Sequence, residues 1–589
     1  MKKYSLILFF FLTATIGFSQ DLYVSNNSFI YVDGTGFANY NATTNPNAAA
    51  LFVTDDIQLA GTNSIIYLRN EAQLLQQSGG IVNSGLGYLE VEQDGTSNLY
   101  NYNYWGSPVQ SAFNAFSLGS ILYNGTDPNN VLGIQWSTAY DANYSTAPIT
   151  MSSYWLYTFN DNQFDDYGTW EPISETTNVN VGLGFTMKGS GSGSATQNYM
   201  FRGIPNTGFI QNAISGGAQG TLVGNPYPSA IDGDEFIDDN VSALLDGTLV
   251  FWEQAPTNNS HYLSQYQGRY SYYNKTGGLP PTTPPEISGS GTASKTPQRY
   301  VAVGQGFFVR GDADGGTITF ENDQRFFVKE SSGNSIFFGP NNEVSETEIT
   351  TGANNNSDNS IQRIRINFTS PEGAIRHLLL GFTTNNKATD AFDYGYDGLN
   401  SDDFPSDLTF LIQNDYYTIQ GVGSFDAEKK YPLHLLLGEN GNIEIALDEL
   451  ENFNQPIDVF VYDDWLRAST KLNEINYTAI LDAGTYSDRY FLTFKDSSET
   501  LSDSENIASD FIIFQNNKTS QLTIVNPNNL VISSINLYDI TGKLIFEHTD
   551  LPLKNKHEFS TKDFSEGVYL ATLKTADNQT INKKLVITN

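Results

Sequence analysis

Short stretches of alternating apolar and polar residues recur along the whole of this chain. Residues 364–368 read Ile-Arg-Ile-Asn-Phe, and residues 443–447 and 490–494 show a similar alternation. A period of two places one set of side chains on a core face and the other toward solvent. Long segments in which apolar residues recur with the 3.6-residue period of a helix are nearly absent. The pattern therefore predicts an all-β protein, and 589 residues are too many for one core, so we expect several domains.

Changes in composition along the chain predict where these domains begin and end. The N-terminal region has short strand candidates with Asn and Gly between them, which suit either stacked rungs of a β-solenoid or a small sandwich. The predicted segments are a signal peptide (1–19), an N-terminal β-rich region (20–100), two β units (100–210 and 218–330), a linker (331–360), a β-sandwich domain (361–495), a second linker (496–504) and a C-terminal domain (505–589).

A glycine-containing motif occurs twice in the middle of the chain. Residues 181–189 read Val-Gly-Leu-Gly-Phe-Thr-Met-Lys-Gly, and residues 303–311 read Val-Gly-Gln-Gly-Phe-Phe-Val-Arg-Gly. Upstream of each motif, residues 105–108 (Trp-Gly-Ser-Pro) match residues 223–226 (Val-Gly-Asn-Pro) at a similar offset. We therefore predict that the two β units are divergent copies. In each, the second Gly suits a bulge or a close backbone approach, and the Phe supplies core area.

The N-terminus has the features of a secretory signal peptide. Two lysines follow Met1, an apolar stretch comes next, and small residues precede the predicted cleavage between Ser19 and Gln20. The apolar stretch is shorter than the roughly 20 residues that a membrane span needs. The chain has no Cys, so neither disulfides nor a lipid-modified N-terminal Cys can form.

The charge of the chain is strongly acidic and unevenly distributed. Its 65 Asp and Glu against 30 Lys and Arg give a net charge of -35. Such a surface repels phosphate backbones, so we expect no nucleic-acid partner, and it is compatible with Ca²⁺. In the C-terminal segment, acidic and basic residues nearly balance. A near-neutral module on an acidic body predicts separate roles for the two parts.

The C-terminal segment carries an ordered set of short motifs. Residues 537–543 read Leu-Tyr-Asp-Ile-Thr-Gly-Lys, with the Gly at the turn position that needs a positive φ. Residues 567–569 read Gly-Val-Tyr, and residues 583–585 read Lys-Lys-Leu. The motif positions are Leu537, Tyr538, Asp539, Gly542, Lys543, Gly567, Tyr569, Lys583, Lys584 and Leu585.

These motifs resemble the type A C-terminal sorting domain of the Bacteroidota type IX secretion system. The resemblance implies an Ig-like β-sandwich that the outer-membrane translocon and its shuttle or sortase components recognise. It also implies a protein at the cell surface or outside the cell, from which a sortase commonly removes the tail. An ordinary terminal Ig-like domain is the alternative. The body looks like large secreted flavobacterial surface proteins, a resemblance that implies no chemistry.

The body shows no motif that identifies a catalytic site. Its His residues lie far apart, and a nucleophilic Cys is excluded. Two Trp-Glu pairs, Trp170 with Glu171 and Trp252 with Glu253, suit a sugar-stacking site, but a core Trp beside a solvated carboxylate is the simpler interpretation. We therefore predict no catalytic residue and no cofactor other than a possible metal ion.

Two acidic segments are candidate Ca²⁺ sites, because hard cations bind several oxygen ligands of one flexible turn. Asp390, Asp393 and Asp397 form the first candidate, and Asp312 with Asp314 forms the second. The alternative is a set of solvated turn residues, each of which accepts a hydrogen bond from its own backbone.

The favoured function is a non-enzymatic, adhesin-like or structural protein, displayed on the outer membrane or released, whose partners include surface glycans. The alternative is an extracellular polysaccharide-degrading enzyme that carries the same tail.

Deletion of residues 505–589 should leave a soluble periplasmic protein, because the signal peptide and the sorting domain address successive membranes. Cell fractionation with immunoblotting measures this, with the full chain as control. Truncated protein that reaches the medium at the normal level would contradict the sorting role.

The calcium hypothesis predicts that free Ca²⁺ raises the stability of the 361–495 region and that Asp393→Asn weakens this response. Thermal unfolding in millimolar Ca²⁺ and in chelator measures both. A midpoint that is the same in the two conditions leaves only the turn interpretation.

Overall fold

A computed structural model of the chain describes residues 22–35, 49–77, 82–141, 147–161, 167–194, 196–255, 258–282, 295–338, 361–402, 404–497, 511–526, 530–540, 542–576 and 580–588. Of the residues described, about 51% lie in strands and 6% in helices, which confirms the all-β prediction. The chain divides into two units, Met1–Ser497 and Ser498–Asn589. None of the helices in the described ranges has the length and hydrophobicity that a membrane-spanning helix requires.

The N-terminal strands stack as parallel rungs. Strand β1 pairs with β4 and β4 with β7, β2 pairs with β5 and β5 with β8, and β3 pairs with β6, all in parallel. Such parallel pairings favour stacked solenoid rungs over a small sandwich. The bounds are β1 Leu22–Val24, β2 Ser28–Asp33, β3 Ala50–Val53, β4 Ile57–Leu59, β5 Ser64–Arg69, β6 Gln73–Gln76, β7 Ser84–Gly85 and β8 Tyr88–Thr96.

Strands β9 to β31 form the middle of the body, where most strand pairs are antiparallel. The bounds of the first group are β9 Tyr102–Trp105, β10 Val109–Gln110, β11 Ala115–Phe116, β12 Leu122–Asn124, β13 Leu132–Gly133, β14 Gln135–Ser137, β15 Thr150–Ser152, β16 Tyr157–Thr158, β17 Glu171–Pro172, β18 Val179–Asn180, β19 Phe185–Lys188, β20 Thr196–Pro205 and β21 Ile210–Ile214. Strand β8 continues the solenoid sheet into this part by pairing with β20.

The bounds of the second group are β22 Gly220–Gly224, β23 Ala230–Asp232, β24 Leu249–Gln254, β25 Gly268–Asn274, β26 Gly277–Leu279, β27 Tyr300–Val301, β28 Gly306–Arg310, β29 Gly316–Phe320, β30 Arg325–Phe326 and β31 Ser335–Ile336. Short helices accompany both groups: α1 Leu118–Ile121, α2 Gly233–Asp239, and 3₁₀ turns at Ser153–Trp155, Tyr167–Thr169, Leu263–Gln265, Asn322–Gln324 and Glu330–Ser332.

Each glycine motif makes a backbone hydrogen bond with the segment upstream of the other motif. Gly106 N donates to Gly304 O (2.8 Å), and Gly224 N donates to Gly182 O (3.1 Å). Gly182 and Gly304, the first Gly of each motif, both have positive φ (92° and 69°). These reciprocal bonds are what two copies of one unit would make, and the duplication itself stays a prediction.

The backbones approach so closely at this point that side chains do not fit. A Cβ atom built on Gly224 lies 2.4 Å from Gly106 Cα, and one built on Gly106 lies 2.6 Å from Gly224 C. Gly184 and Gly306, the second Gly of each motif, are similarly crowded by the backbones of Val223 and Trp105. We call Gly106, Gly184, Gly224 and Gly306 the glycine contact.

The Phe residues of the two motifs lie in matching environments. Phe185 pairs with Trp105 across strands β19 and β9, and Phe307 pairs with Val223 across β28 and β22. Both side chains are fully buried. The ring centroid of Phe185 lies 5.8 Å from that of Phe116, and the centroid of Phe307 lies 5.5 Å from that of Phe236. Each Phe therefore fills the core against another aromatic ring, which lies on β11 for Phe185 and on α2 for Phe307.

Residues 331–338, predicted as the start of a linker, pack into the body instead. Strand β31 pairs in parallel with β27. Phe337 lies against Trp105 with ring centroids 4.8 Å apart, and Phe338 stacks on Phe251 at 5.1 Å. The two Phe residues give this segment an apolar surface that polar composition alone did not reveal.

Strands β32 to β42 form a large, mainly antiparallel sheet with a core of its own. A second core joins this sheet to the middle of the body, because Leu379 and Ile419 pack with Trp252, Tyr272 and Phe308. The bounds are β32 Gln362–Thr369, β33 Ile375–Phe382, β34 Gly398–Leu399, β35 Asp407–Ile412, β36 Asp415–Val422, β37 Lys430–Leu437, β38 Gly441–Glu451, β39 Phe460–Asp463, β40 Ala468–Lys471, β41 Tyr477–Leu481 and β42 Gly484–Thr493, with a 3₁₀ turn at Thr384–Asn386.

The C-terminal unit is a sandwich of two antiparallel sheets. Strands β43, β44 and β47 form one sheet, and β46, β45, β48 and β49 form the other, in those orders. The bounds are β43 Ile512–Asn516, β44 Gln521–Val525, β45 Ile532–Asp539, β46 Leu544–Thr549, β47 Lys556–Ser560, β48 Gly567–Thr575 and β49 Thr580–Ile587.

Gly224→Ala should destabilise the protein by about 3 kcal/mol, because the new Cβ meets backbone that has no room to move. Urea unfolding measures the change. Gly133→Ala is the matched control, since nothing lies within 4 Å of a Cβ built there, and it should change stability by less than about 0.5 kcal/mol. Equal losses in the two variants would show that the glycine contact is not tightly packed.

Candidate functional site

An open cleft of about 520 Å³ lies where the large sheet meets the middle of the body. Residues 277–280 and 296–300 form one wall. Side chains of β32, β33 and β38 form the other. Clefts between packed elements are the usual place for ligand sites.

The β32 wall follows from the alternation in its sequence. Ile364 and Ile366 point into the core of the sheet and are buried. Arg363, Arg365 and Asn367 lie on the opposite face and line the cleft. The polar half of this strand is therefore directed at the cleft and not at open solvent.

Ion pairs and backbone hydrogen bonds hold the two arginines in place. Arg365 Nε donates to Glu451 Oε1 (2.5 Å), and its Nη1 donates to Gly278 O (2.7 Å) on the opposite wall. Arg363 Nε donates to Thr276 O (2.5 Å), and its Nη1 lies 3.3 Å from Glu451 Oε2. Because both guanidinium groups bridge the walls, the shape of the cleft is fixed without a ligand.

A β-bulge places two further carboxylates at the cleft. Arg365 pairs with Glu449 and Ile366 pairs with Leu447, so Asp448 is an extra residue between them. A bulge changes the direction of the side chains, and here it interrupts the alternation of side-chain direction along β38. As a result, the consecutive residues Asp448 and Glu449 both line the cleft, and both are exposed.

His377 adds a neutral hydrogen-bonding group to this wall. It lies opposite Asn367 in the β32–β33 pair, and its Nδ1 lies 2.7 Å from Asn367 Oδ1. Burial lowers the pKa of His377 to about 4, and the charge of Arg376 acts in the same direction. The imidazole is therefore uncharged at neutral pH.

The opposite wall is held by a bidentate ion pair. Arg299 donates from Nε and Nη2 to the two carboxylate oxygens of Asp232, at 2.8 and 2.7 Å. Next to it, Tyr300 stacks on the partly exposed Phe326 with ring centroids 5.1 Å apart. The cleft thus combines polar groups with an aromatic ring at its edge.

The three carboxylates of the first predicted calcium site have separate partners. Asp390 pairs with Lys429. Asp393 Oδ2 accepts hydrogen bonds from Thr389 N (2.5 Å) and Thr389 Oγ1 (2.8 Å). In the described part of the chain, no group of three or more His, Asp or Glu side chains is placed to hold a metal ion. This geometry favours the turn interpretation over Ca²⁺, which stays a prediction.

Asp397 differs from a solvated turn residue because it is fully buried. Its carboxylate accepts from Asp393 N (2.6 Å) and Gly421 N (2.8 Å). Burial raises the pKa of Asp397 to about 8. The neighbouring Gly395 bonds through its N to Asp246 O (2.9 Å) and through its O to Lys275 N (2.8 Å). The acidic segment therefore docks the large sheet onto the middle of the body.

The other candidates of the body also have structural partners. Asp312 Oδ1 accepts from Asp314 N (2.9 Å) and Gly315 N (2.7 Å), which is a turn arrangement. Trp252 and Glu253 are both buried. Neither they nor Trp170 and Glu171 line the cleft.

The sorting motifs form the turn and the core of the C-terminal unit. Asp539 N donates to Lys543 O (3.0 Å), and Gly542 has a φ of 82°, so the predicted turn with positive φ is confirmed. Leu537, Tyr569 and Leu585 are buried together in the core of the unit.

The remaining motif positions lie on the strands of this unit. Tyr538 is on β45, Gly567 begins β48 opposite Ile587, and Lys583 and Lys584 of β49 pair with Ala571 and Leu570. Lys584 is exposed. The predicted cleavage residues Ser19 and Gln20 lie outside the described residues.

Two family models match the chain. The first, described as a domain of unknown function (DUF8693), covers residues 38–494. The chain belongs to the DUF8693 family. The second family model is the secretion system C-terminal sorting domain, and it covers residues 513–588. This match confirms that the tail of the DUF8693 protein is a type IX sorting domain. The protein is therefore exported to the cell surface or the extracellular space through that system.

Other comparisons add little. No curated protein matches the chain. A DUF3244 family protein with an immunoglobulin-like β-sandwich fold from Bacteroides vulgatus ATCC 8482 is 16% identical over 13% of this chain and 85% of that one, with a TM-score of 0.13. The BSP domain of a biofilm associated protein is 8% identical over 84% of this chain and 98% of that one, with a TM-score of 0.14. Neither likeness supports an argument at such scores.

Sequence reasoning missed the cleft of the DUF8693 body. Its wall residues come from segments far apart in sequence, such as Gly278, Arg365 and Glu451. One local signal was available, because the alternation of β38 stops at Asp448 and Glu449.

The stability of the protein should fall as the pH drops from about 6.5 toward 4, in part because of His377. The pKa of His377 in the folded protein lies below its value of about 6.5 in the unfolded chain. Between these two pH values the unfolded chain binds more protons, which favours unfolding as the pH falls. Urea unfolding at several pH values measures the slope, and His377→Asn should make it shallower. An unchanged slope in this variant would contradict a neutral His377.

Proposed function

We propose that the DUF8693 body is a non-enzymatic binding protein of the cell exterior, whose cleft holds a segment of an uncharged polysaccharide. The observation that supports this most directly is the fixed polar wall of β32 and β38. Because Arg363 and Arg365 are held by Glu451 and by the opposite wall, the entropy cost of ordering them is already met before a ligand binds.

The charges at the cleft favour a neutral ligand. Arg363, Arg365 and Arg299 are each paired with a carboxylate. Asp448 and Glu449 then add exposed negative charge, on a protein whose net charge is -35. A polyanion is repelled by such a site. Sugar hydroxyl groups, in contrast, both donate to carboxylates and accept from amides.

The arrangement of the carboxylates favours binding over hydrolysis. Glycoside hydrolases usually place two carboxyl groups on either side of the scissile bond. Here Asp448, Glu449 and Glu451 all come from the single strand β38, and Glu451 is engaged by two arginines. The enzyme alternative therefore lacks a carboxylate on the facing wall among the described residues that line the cleft.

Incubation of the mature protein with a panel of neutral and acidic polysaccharides tests this function. We expect retention on at least one neutral polysaccharide in affinity electrophoresis and no new reducing ends after long incubation. New reducing ends would establish the enzyme alternative, and retention only on acidic polysaccharides would contradict the charge argument.

Replacement of both Asp448 and Glu449 by Ala should weaken binding to the retained polysaccharide about a hundredfold or more, since two hydrogen bonds to charged groups are lost and each is worth about 1.5–3 kcal/mol. Isothermal titration calorimetry with an oligosaccharide of that polymer measures this. Glu444→Ala, on the same strand but outside the cleft, is the control. Equal affinities for both variants would place the binding site elsewhere.

A further inference from the structure

A buried lysine amine lies in a cage of aromatic rings, away from the cleft. Lys188 ends strand β19, and only 2% of the residue is exposed. Its Nζ lies 3.8 Å from the ring centroid of Trp155, 4.6 Å from that of Tyr102 and 4.9 Å from that of Tyr266. We call these four side chains the lysine cage. Ring faces attract a cation, and the same rings exclude water from the amine.

The matching residue of the second glycine motif shows what an ordinary structural cation does at this position. Arg310 stands three residues after Phe307, as Lys188 stands three residues after Phe185. Arg310 Nη2 makes a buried ion pair with Asp246 Oδ2 at 2.8 Å. In the ranges that the structure describes, the partners of Lys188 Nζ are instead His261 and the hydroxyl of Tyr266. Burial lowers the pKa of Lys188 to about 7.

A chain of hydrogen bonds leads from this amine to the surface. Lys188 Nζ lies 3.0 Å from His261 Nδ1, and His261 Nε2 lies 2.8 Å from Asp141 Oδ1. The His261 side chain is 7% exposed, whereas that of Asp141 is 66% exposed. Trp155 stacks on the His261 ring at 4.7 Å and fixes its orientation. A proton that leaves the ammonium group therefore has a direct acceptor and an exit to solvent.

We propose that Lys188 is a carbonyl-reactive amine that condenses with a small, uncharged aldehyde. The ammonium first gives one proton to His261 Nδ1. The free amine attacks the carbonyl carbon, a C–N bond forms, and a second proton passes from nitrogen to the new alkoxide through the Tyr266 hydroxyl, 2.7 Å from Nζ. The carbinolamine hydroxyl then leaves as water with the proton that His261 returns. The sum is one ammonium and one aldehyde giving one protonated imine and one water.

The properties of the lysine cage suit each part of this reaction. The rings that hold the ammonium also hold the protonated imine, which carries the same charge. The exclusion of water slows hydrolysis of the imine. A charged aldehyde would lose its hydration on entering among the rings, which is why the site should select an uncharged one.

Reductive trapping tests the proposal on the mature wild-type protein. Acetaldehyde and sodium cyanoborohydride are added at pH 7, and the modified lysines are identified by peptide mass spectrometry. We expect Lys188 to be modified about tenfold or more faster than Lys495 and Lys556, whose side chains are 57% and 53% exposed. The rate at Lys188 should level off above about pH 7, whereas the rates at the two reference lysines should keep rising toward pH 10.

Two tyrosine variants distinguish the assisted reaction of Lys188 from modification that depends only on the exposure of its amine. Tyr266→Phe keeps the ring but removes the hydroxyl, and it should slow trapping at Lys188 about tenfold. Tyr262→Phe, at a residue that is 71% exposed, is the control and should leave the rate unchanged. Trapping at Lys188 that is no faster than at Lys556, or equally fast in the two variants, would overturn the proposal.

Discussion

The body is organised around the glycine contact, where the two glycine motifs and the segments upstream of them meet backbone to backbone. Gly106 and Gly224 donate to the first Gly of the opposite motif, and a Cβ on either residue would collide with the other. This contact sets the position of the sheet that contains β22, β28 and β24. Trp252, Tyr272 and Phe308 of that sheet then form the core that joins it to the large sheet. The walls of the cleft are consequently fixed by a contact that is remote from it.

Local patterns in the sequence predicted the features that depend on neighbouring residues alone, namely strands and tight turns. Alternation predicted strands such as β32 and β38, and the turn at Gly542 was evident because only a positive φ closes it. Alternation does not say what a polar face will meet, so Arg365 was expected in solvent and lies in the cleft. For the same reason, the sequence did not show that the acidic segment at Asp397 is buried. Its burial depends on contact with the region of Asp246, over 150 residues away in sequence.

The two units of the chain have different functional roles. The sorting domain establishes the route of export, and its motif residues form a core and a turn that make the unit recognisable. The DUF8693 body carries the binding function that we propose. Its polar wall is ordered by ion pairs that are only partly buried, with exposed fractions of 15% for both arginines and 22% for Glu451. Such groups remain accessible to a ligand while they keep one geometry.

Hydrogen–deuterium exchange of the mature protein, with and without an oligosaccharide of the polymer that it retains, tests the central claim most directly. The proposed function predicts that protection is concentrated in residues 277–280, 296–300, 363–367, 377–378 and 448–451, which line one cleft although they are distant in sequence. Protection confined to the solenoid rungs or to the sorting domain, with these five segments unchanged, would contradict it.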